Sequence, residues 1–162
     1  MKTIIVVRHA KSSWEYDVID HQRPLKQRGI NDANLIANKL ATLNLDIDSV
    51  IISDATRTKL TADIILPKLK VKEHIVSFSH KLYDFSGNNL LEVIKTCKSS
   101  IDTLMIFGHN HAITTFVNTF GDTYIDNVPT CGVVIIEFNI NKWSALSPGT
   151  TLKTIYPKNL RD

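Results

Sequence analysis

The chain has 162 residues, of which 43% are hydrophobic, 22% charged and 7% aromatic, with six Gly and five Pro. This is the make-up of one globular domain, residues 1–162, and it excludes a disordered tail protein, a collagen-like fibre and a disulfide scaffold. Nineteen Lys plus Arg against sixteen Asp plus Glu leave a formal charge of +3 without any basic block, so no nucleic-acid partner is expected.

In chain order, Thr3 to Val7 is an unbroken apolar run that suits a strand buried on both faces. Arg8 and His9 cut it short of the roughly 7 to 15 residues of a signal peptide's apolar core. No later run approaches the roughly 18 residues of a spanning helix, so no membrane partner and a cytoplasmic location are expected. From Pro24-Leu25 onward, Ala33, Ile36, Leu40 and Leu43 form one helical stripe. Ser49 to Ile52 reads as a second strand, after which Ser53 or Asp54 caps a helix carrying Leu60 and Ile64 and ending at Pro67. A third strand is expected near Ile75 to Phe78. Leu90, Leu91, Val93, Ile94 and Cys97 then mark a helix after Gly87-Asn88-Asn89. Leu104 to Phe107 is the fourth strand, followed by a helix through Ile113, Phe116, Val117 and Phe120 that Gly121 closes. Val133 to Phe138 and Trp143 to Leu146 read as a final hairpin about residues 139–142. The alternation predicts an α/β three-layer sandwich, with a central, mainly parallel mixed sheet and helices on both faces.

Three predicted strand ends carry polar residues: Arg8-His9, Ser53 with Arg57, and Gly108-His109-Asn110. In open α/β sheets the carboxyl ends of the strands form the ligand crevice, so these segments can converge. Two arginines and two histidines there suggest a phosphate. A neutral imidazole is a nucleophile at pH 7, and attack on phosphorus would give a phosphohistidine that water then cleaves. Arginine's planar fork matches two phosphate oxygens. No metal or cofactor is required.

The ordered set Val7-Arg8-His9-Ala10-Lys11-Ser12, Arg23-Pro24-Leu25 with Arg28-Gly29, Ser53-Asp54-Ala55-Thr56-Arg57-Thr58 with Thr61-Ala62, Leu82-Tyr83, Gly108-His109-Asn110 and Pro157-Lys158-Asn159-Leu160 resembles the histidine phosphatase superfamily. Within it, the chain is most similar to the small SixA-type phosphohistidine phosphatases. The resemblance implies a phosphoglycerate mutase-like fold, His9 as the phosphorylated nucleophile, Arg8 and Arg57 as phosphate ligands, and His109 as the second active-site histidine. It places the proton donor at Asp84 and a substrate contact at Asn110. His111 stands where many relatives have proline.

Alternative readings of single residues are plainer. His109 and His111 lack a nearby Cys or carboxylate that would make them metal ligands. His21, His74 and His80 read as surface residues, and Asp20 and Asp32 as structural ones. Cys97 and Cys131 form no metal cluster or disulfide framework and read as small buried thiols. Trp14 and Tyr16 either line the pocket mouth or anchor their loop. Lys11 and Arg28 would add only steering potential. The function expected is metal-independent hydrolysis of a phosphomonoester or phosphoramidate. Its favoured substrate is a phosphorylated protein such as a histidine phosphotransfer domain, since the short stretch between Tyr83 and Gly108 leaves no room for a lid. The alternatives are a small phosphorylated metabolite as substrate, or a non-catalytic phosphohistidine-binding module.

Overall fold

The first apolar run becomes β1 (Lys2–Arg8), and its side chains alternate between two cores in the computed structural model, which describes Met1–Asp162. Ile4 and Val6 enter one apolar cluster, Ile5 and Val7 the other, and all four are fully buried. This is why the run carries no polar alternation: a strand at the centre of a sheet covered on both faces has no wet side.

The remaining elements are α1 (Gln27–Ala41), β2 (Ser49–Ser53), α2 (Thr56–Lys68), β3 (Val76–Ser79), α3 (Asn88–Lys95), β4 (Thr103–Gly108), α4 (Ala112–Phe120), β5 (Val133–Phe138) and β6 (Thr150–Ile155). The six strands form one sheet in the order β3-β2-β4-β1-β5-β6. β3, β2, β4 and β1 run parallel, whereas β5 pairs antiparallel with both β1 and β6. Residues of α1 and α2 close the Ile5 face, and residues of α3 and α4 close the Ile4 face. The architecture is thus the expected three-layer mixed α/β sandwich.

β1 and β4 lie side by side in register, with Arg8 opposite Gly108, and the His9 amide donates to the Gly108 carbonyl at 3.1 Å. Chain direction therefore delivers both histidine-bearing loops to the same sheet end.

Two details differ from expectation. The last strand is Thr150–Ile155, while Trp143–Ala145 is a short 3-10 turn with Trp143 fully buried and its indole N–H on the Ile101 carbonyl at 2.8 Å. β6 is an edge strand whose side chains are mostly exposed, so it has no apolar pattern to betray it. Along α2 the buried apolar residues are Ala62, Ile65 and Leu66, and Pro67 lies within the last turn. Leu60 and Ile64 are only partly buried. Gly121 is the C-cap of α4, as expected; its backbone is extended, and a side chain there would strike Thr151 Oγ1 and the Val117 carbonyl, so glycine is present for space.

One glycine bears on the site. The Lys26 amide donates to the Lys11 carbonyl, the Ser13 amide to the Pro24 carbonyl, and Ser12 bridges Leu25. The loop after His9 is thereby stapled to the entry of α1, where Gly29 packs directly on the Lys11 backbone. A methyl group at residue 29 would overlap that backbone, which cannot yield as a side-chain tip would. Gly29→Ala is expected to lower unfolding free energy by about 1–3 kcal/mol in urea denaturation despite alanine's better helix propensity. A neutral or stabilising result would show that the loop is not held by this contact.

Candidate active site

His9 leaves β1 and His109 leaves β4, and their rings lie 5.3 Å apart between centroids at an interplanar angle of 50°. The His9 Nδ1 is 2.7 Å from the Ala10 carbonyl oxygen. A carbonyl can only accept, so Nδ1 carries the proton and the Nε2 lone pair is free. Both imidazoles are buried. Burial, reinforced for His9 by the Arg57 and Arg8 charges, lowers its pKa to about 3. Burial together with His9 and Arg57 lowers that of His109 to about 2. Both rings are therefore neutral at pH 7.

The two arginines are held without being saturated. Arg8 Nη1 donates to the Val128 carbonyl at 2.8 Å, and Arg57 Nη1 donates to the Asp20 carbonyl at 2.8 Å. Arg57 Nη2 reaches Asp20 Oδ2 at 3.0 Å. The Nε atoms of both arginines and Nδ1 of His109 are buried without a hydrogen-bond partner. Ser53 Oγ lies 2.8 Å from His109 Nε2 and accepts the Ala55 amide. Where the Ser53 hydroxyl donates to Nε2, the His109 proton lies on the unpartnered Nδ1. Three buried, unpartnered nitrogens beside the neutral His9 imidazole form a cup suited to an anion.

Asp20 occupies one wall of that cup. Its carboxylate accepts from Arg57, from Arg23 Nε at 3.0 Å and from the Tyr83 hydroxyl. Burial would raise its pKa, but the Tyr83 and Arg23 hydrogen bonds and the Arg57 charge outweigh that and hold it well below the usual carboxylate range. The Tyr83 ring also sits edge-on to His109 at 5.3 Å, and Phe85 lies 5.3 Å from His109 on another side.

Two expected site residues have other work. Asp84 accepts from the backbone amides of Ser86, Gly87, Asn89 and Leu90 and from the Ser86 hydroxyl at 3.0–3.2 Å. Burial opposes ionisation, but these donors, the Leu90 amide first, lower its pKa. Asp84 is thus an anionic cap on the first turn of α3, which a proton donor cannot be at neutral pH. Asn110 spends its amide on Asn127 Oδ1 at 2.7 Å and accepts from the Thr114 amide and hydroxyl. It caps α4 and braces the 127–128 segment on which Arg8 rests, and so is no free substrate ligand.

Asp20, Arg23, Ser53 and Tyr83 complete the cup beyond the expected set. The Asp20-x-x-Arg23 spacing is visible in the sequence, whereas the contact between Asp20 and Arg57 spans 37 positions and shows no local signal. His21 and His80 lie at the surface, as expected, in 3-10 turns, and both contact Asp54. Asp32 is structural as expected, bonded bidentately to Arg161. Lys11 and Arg28 are exposed, with Arg28 turned toward Asp32.

A mixed sheet in this order, with histidines at the ends of its adjacent β1 and β4, defines a phosphoglycerate mutase-like fold. Residues 4–78 match the model of the histidine phosphatase superfamily (branch 1). An uncharacterised protein of Mycobacterium tuberculosis (strain H37Rv) is 26% identical over 156 residues, covering 88% of this chain and 93% of that one. The structure of the protein histidine phosphatase SixA complexed with tungstate has a TM-score of 0.79 at 17% identity, over 98% of this chain and 99% of that one. Phosphoserine phosphatase from Entamoeba histolytica, solved with 3-phosphoglyceric acid, has a TM-score of 0.67 at 15% identity, over 99% and 100%. Phosphatase chemistry is what these likenesses support.

The capping role of Asp84 has a measurable signature. Asp84→Asn is expected to lose about 1–3 kcal/mol of stability in urea denaturation, because Leu90 and Asn89 lose their anionic acceptor. Turnover of alkyl and aryl phosphates should fall by the same small factor. A loss confined to the alkyl phosphate would return Asp84 to the proton-donor role.

Proposed function

We propose that the protein is a metal-independent phosphatase that carries the phosphoryl group on His9 Nε2 and acts on phosphohistidine in a partner protein. The observation that carries this reading is the locked tautomer of His9, whose lone pair opens into a cup of unpartnered Arg8, Arg57 and His109 donors.

In the first step the Nε2 lone pair attacks phosphorus as the bond to the leaving group breaks, and the leaving group takes the electron pair. His9 keeps its Nδ1 proton on Ala10, so the nucleophile needs no base. Arg8, Arg57 and the His109 Nδ1–H would hold the equatorial oxygens as their charge shifts. In the second step water attacks phosphorus, the P–N bond returns its pair to Nε2, and the proton leaves with phosphate or solvent.

The leaving group narrows the substrate class. Asp20 and Asp84 are both held ionised, and both histidines are neutral, so no carboxylic acid or imidazolium stands ready to protonate an alkoxide. A phosphohistidine needs none: protonated from solvent on its far ring nitrogen, it departs as neutral imidazole. Apolar side chains at the cup's edge point to a macromolecular partner. Tyr16 and Ile19 on the loop before Asp20 are 58% and 67% exposed, and Phe85 beside His109 is 47% exposed. Such a rim suits a protein surface better than a small polar metabolite.

His9→Ala should abolish both turnover and trapping of labelled phosphate on the protein; label retained on the variant would assign the nucleophile elsewhere. The substrate class is tested separately. In the Tyr16→Ser/Ile19→Ser variant, kcat/KM on a phosphorylated histidine phosphotransfer domain should drop about tenfold while p-nitrophenyl phosphate is unaffected. Equal change on both substrates, or sugar phosphates outpacing the protein, would favour a metabolite phosphatase.

A further inference from the structure

We propose that His21, Asp54 and His80 form a rim site for a divalent cation of the zinc class, and that its occupancy weakens phosphate binding in the neighbouring cup. The three residues come from separate segments: a 3-10 turn at Asp20–Gln22, the junction of β2 and α2, and a 3-10 turn at His80–Leu82. Asp54 Oδ1 lies 2.8 Å from His21 Nε2, and Asp54 Oδ2 lies 3.0 Å from His80 Nδ1. All three ligand atoms fall within 4.8 Å of one another.

Around a tetrahedral zinc ion, bonds of about 2.0–2.2 Å set neighbouring donor atoms roughly 3.3–3.5 Å apart. The cluster therefore accepts such an ion if its hydrogen bonds open by a few tenths of an ångström. Two imidazole nitrogens and one carboxylate favour zinc, cobalt, nickel or copper over magnesium or calcium, which want oxygen. The Asp54 and His21 side chains are each 29% exposed and that of His80 is 74% exposed, which leaves an open side for water or an anion. Folding has little use for this arrangement, since half-exposed ion pairs add little stability. His9 and His109 are poorly suited to the same ion, because the Arg8 and Arg57 guanidinium groups repel a cation there.

The coupling to the cup is geometric, and its kinetic half rests on the phosphatase reading. His21 shares its turn with Asp20, the residue that occupies Arg57. The Tyr83 ring packs edge-on against His21 at 4.9 Å and lies 5.8 Å from His80, while its hydroxyl donates to Asp20. A cation bridging His21 to Asp54 and His80 would pin that turn with Asp20 on Arg57. Phosphate would then have to displace a carboxylate that can no longer swing away. The expected effect is a higher KM with kcat unchanged.

Binding is read first, without activity, by titrating the whole protein with Co2+ and following its visible ligand-field bands. One equivalent with tetrahedral bands is expected for the wild type and for His9→Ala. Affinity should fall at least about tenfold in His80→Ala and in Asp54→Asn. Absent bands in the wild type, or equal affinity in the two rim variants, would overturn the site. In a second arm, zinc should raise the KM for p-nitrophenyl phosphate in the wild type and leave His80→Ala unaffected. Equal inhibition of both proteins would overturn the coupling. If neither protein turns over substrate, the phosphatase reading fails while the cobalt result still decides the site.

Discussion

Keeping two imidazoles uncharged beside two guanidinium groups is the constraint on which the site rests. A protonated His9 would have neither a lone pair for phosphorus nor a tolerable place among Arg8, Arg57 and Arg23, whose charges all oppose its ionisation. Burial against the paired ends of β1 and β4 is the largest influence, and the sheet supplies it by placing His9 and His109 on adjacent strands. The same burial leaves Arg8 Nε, Arg57 Nε and His109 Nδ1 without a protein partner. Buried polar nitrogens flanked by two guanidinium charges suit an anionic partner, and burial together with those charges keeps the His9 imidazole neutral beside it.

Asp20 moderates the same field. With Arg57, Arg23 and Tyr83 all donating to it, its carboxylate neutralises part of the positive charge that a phosphate would otherwise meet. Arg57 has thus two anionic claimants, one internal and one external. A dianion that also engages Arg8 Nε and His109 Nδ1 has more donors available than Asp20 alone, so substrate binding can be an exchange rather than a simple addition. Arg23, buried and stacked under Trp14 with 3.6 Å from its Cζ to the ring centroid, anchors Asp20 whichever way the exchange runs.

The fold was largely legible in the sequence because its signals are local. A strand buried on both sides must be uniformly apolar, as Ile4 to Val7 are, and helix stripes such as Ala33, Ile36 and Leu40 face a core directly. β6 was missed because an exposed edge strand needs no apolar pattern, and Trp143 misled because a buried aromatic in a turn looks like one in a strand. The convergence of Arg8, His9, Arg57 and His109 could be expected because chain direction brings strand ends together. Asp84 and Asn110 could not be judged from type alone: an aspartate that ends a turn and one that donates a proton are the same letter, and only the five donors around Asp84 separate them. The cluster of His21, Asp54 and His80 was invisible for a related reason, since its members come from three segments and none carries a motif.

The loss of Asp84 as an acid has a consequence for what the cup can hydrolyse. General acid catalysis is worth about 10²–10⁴ in rate when a poor leaving group departs, and the carboxyl groups of Asp20 and Asp84 are both held ionised at neutral pH. On the proposed phosphatase reading, a site with strong oxyanion contacts and no acid discriminates by leaving group: phosphoramidates and aryl phosphates would pass, and alkyl phosphates would lag. One cup geometry could in this way serve different substrates according to whether a carboxyl group faces the leaving atom or, like Asp84, is turned into a helix.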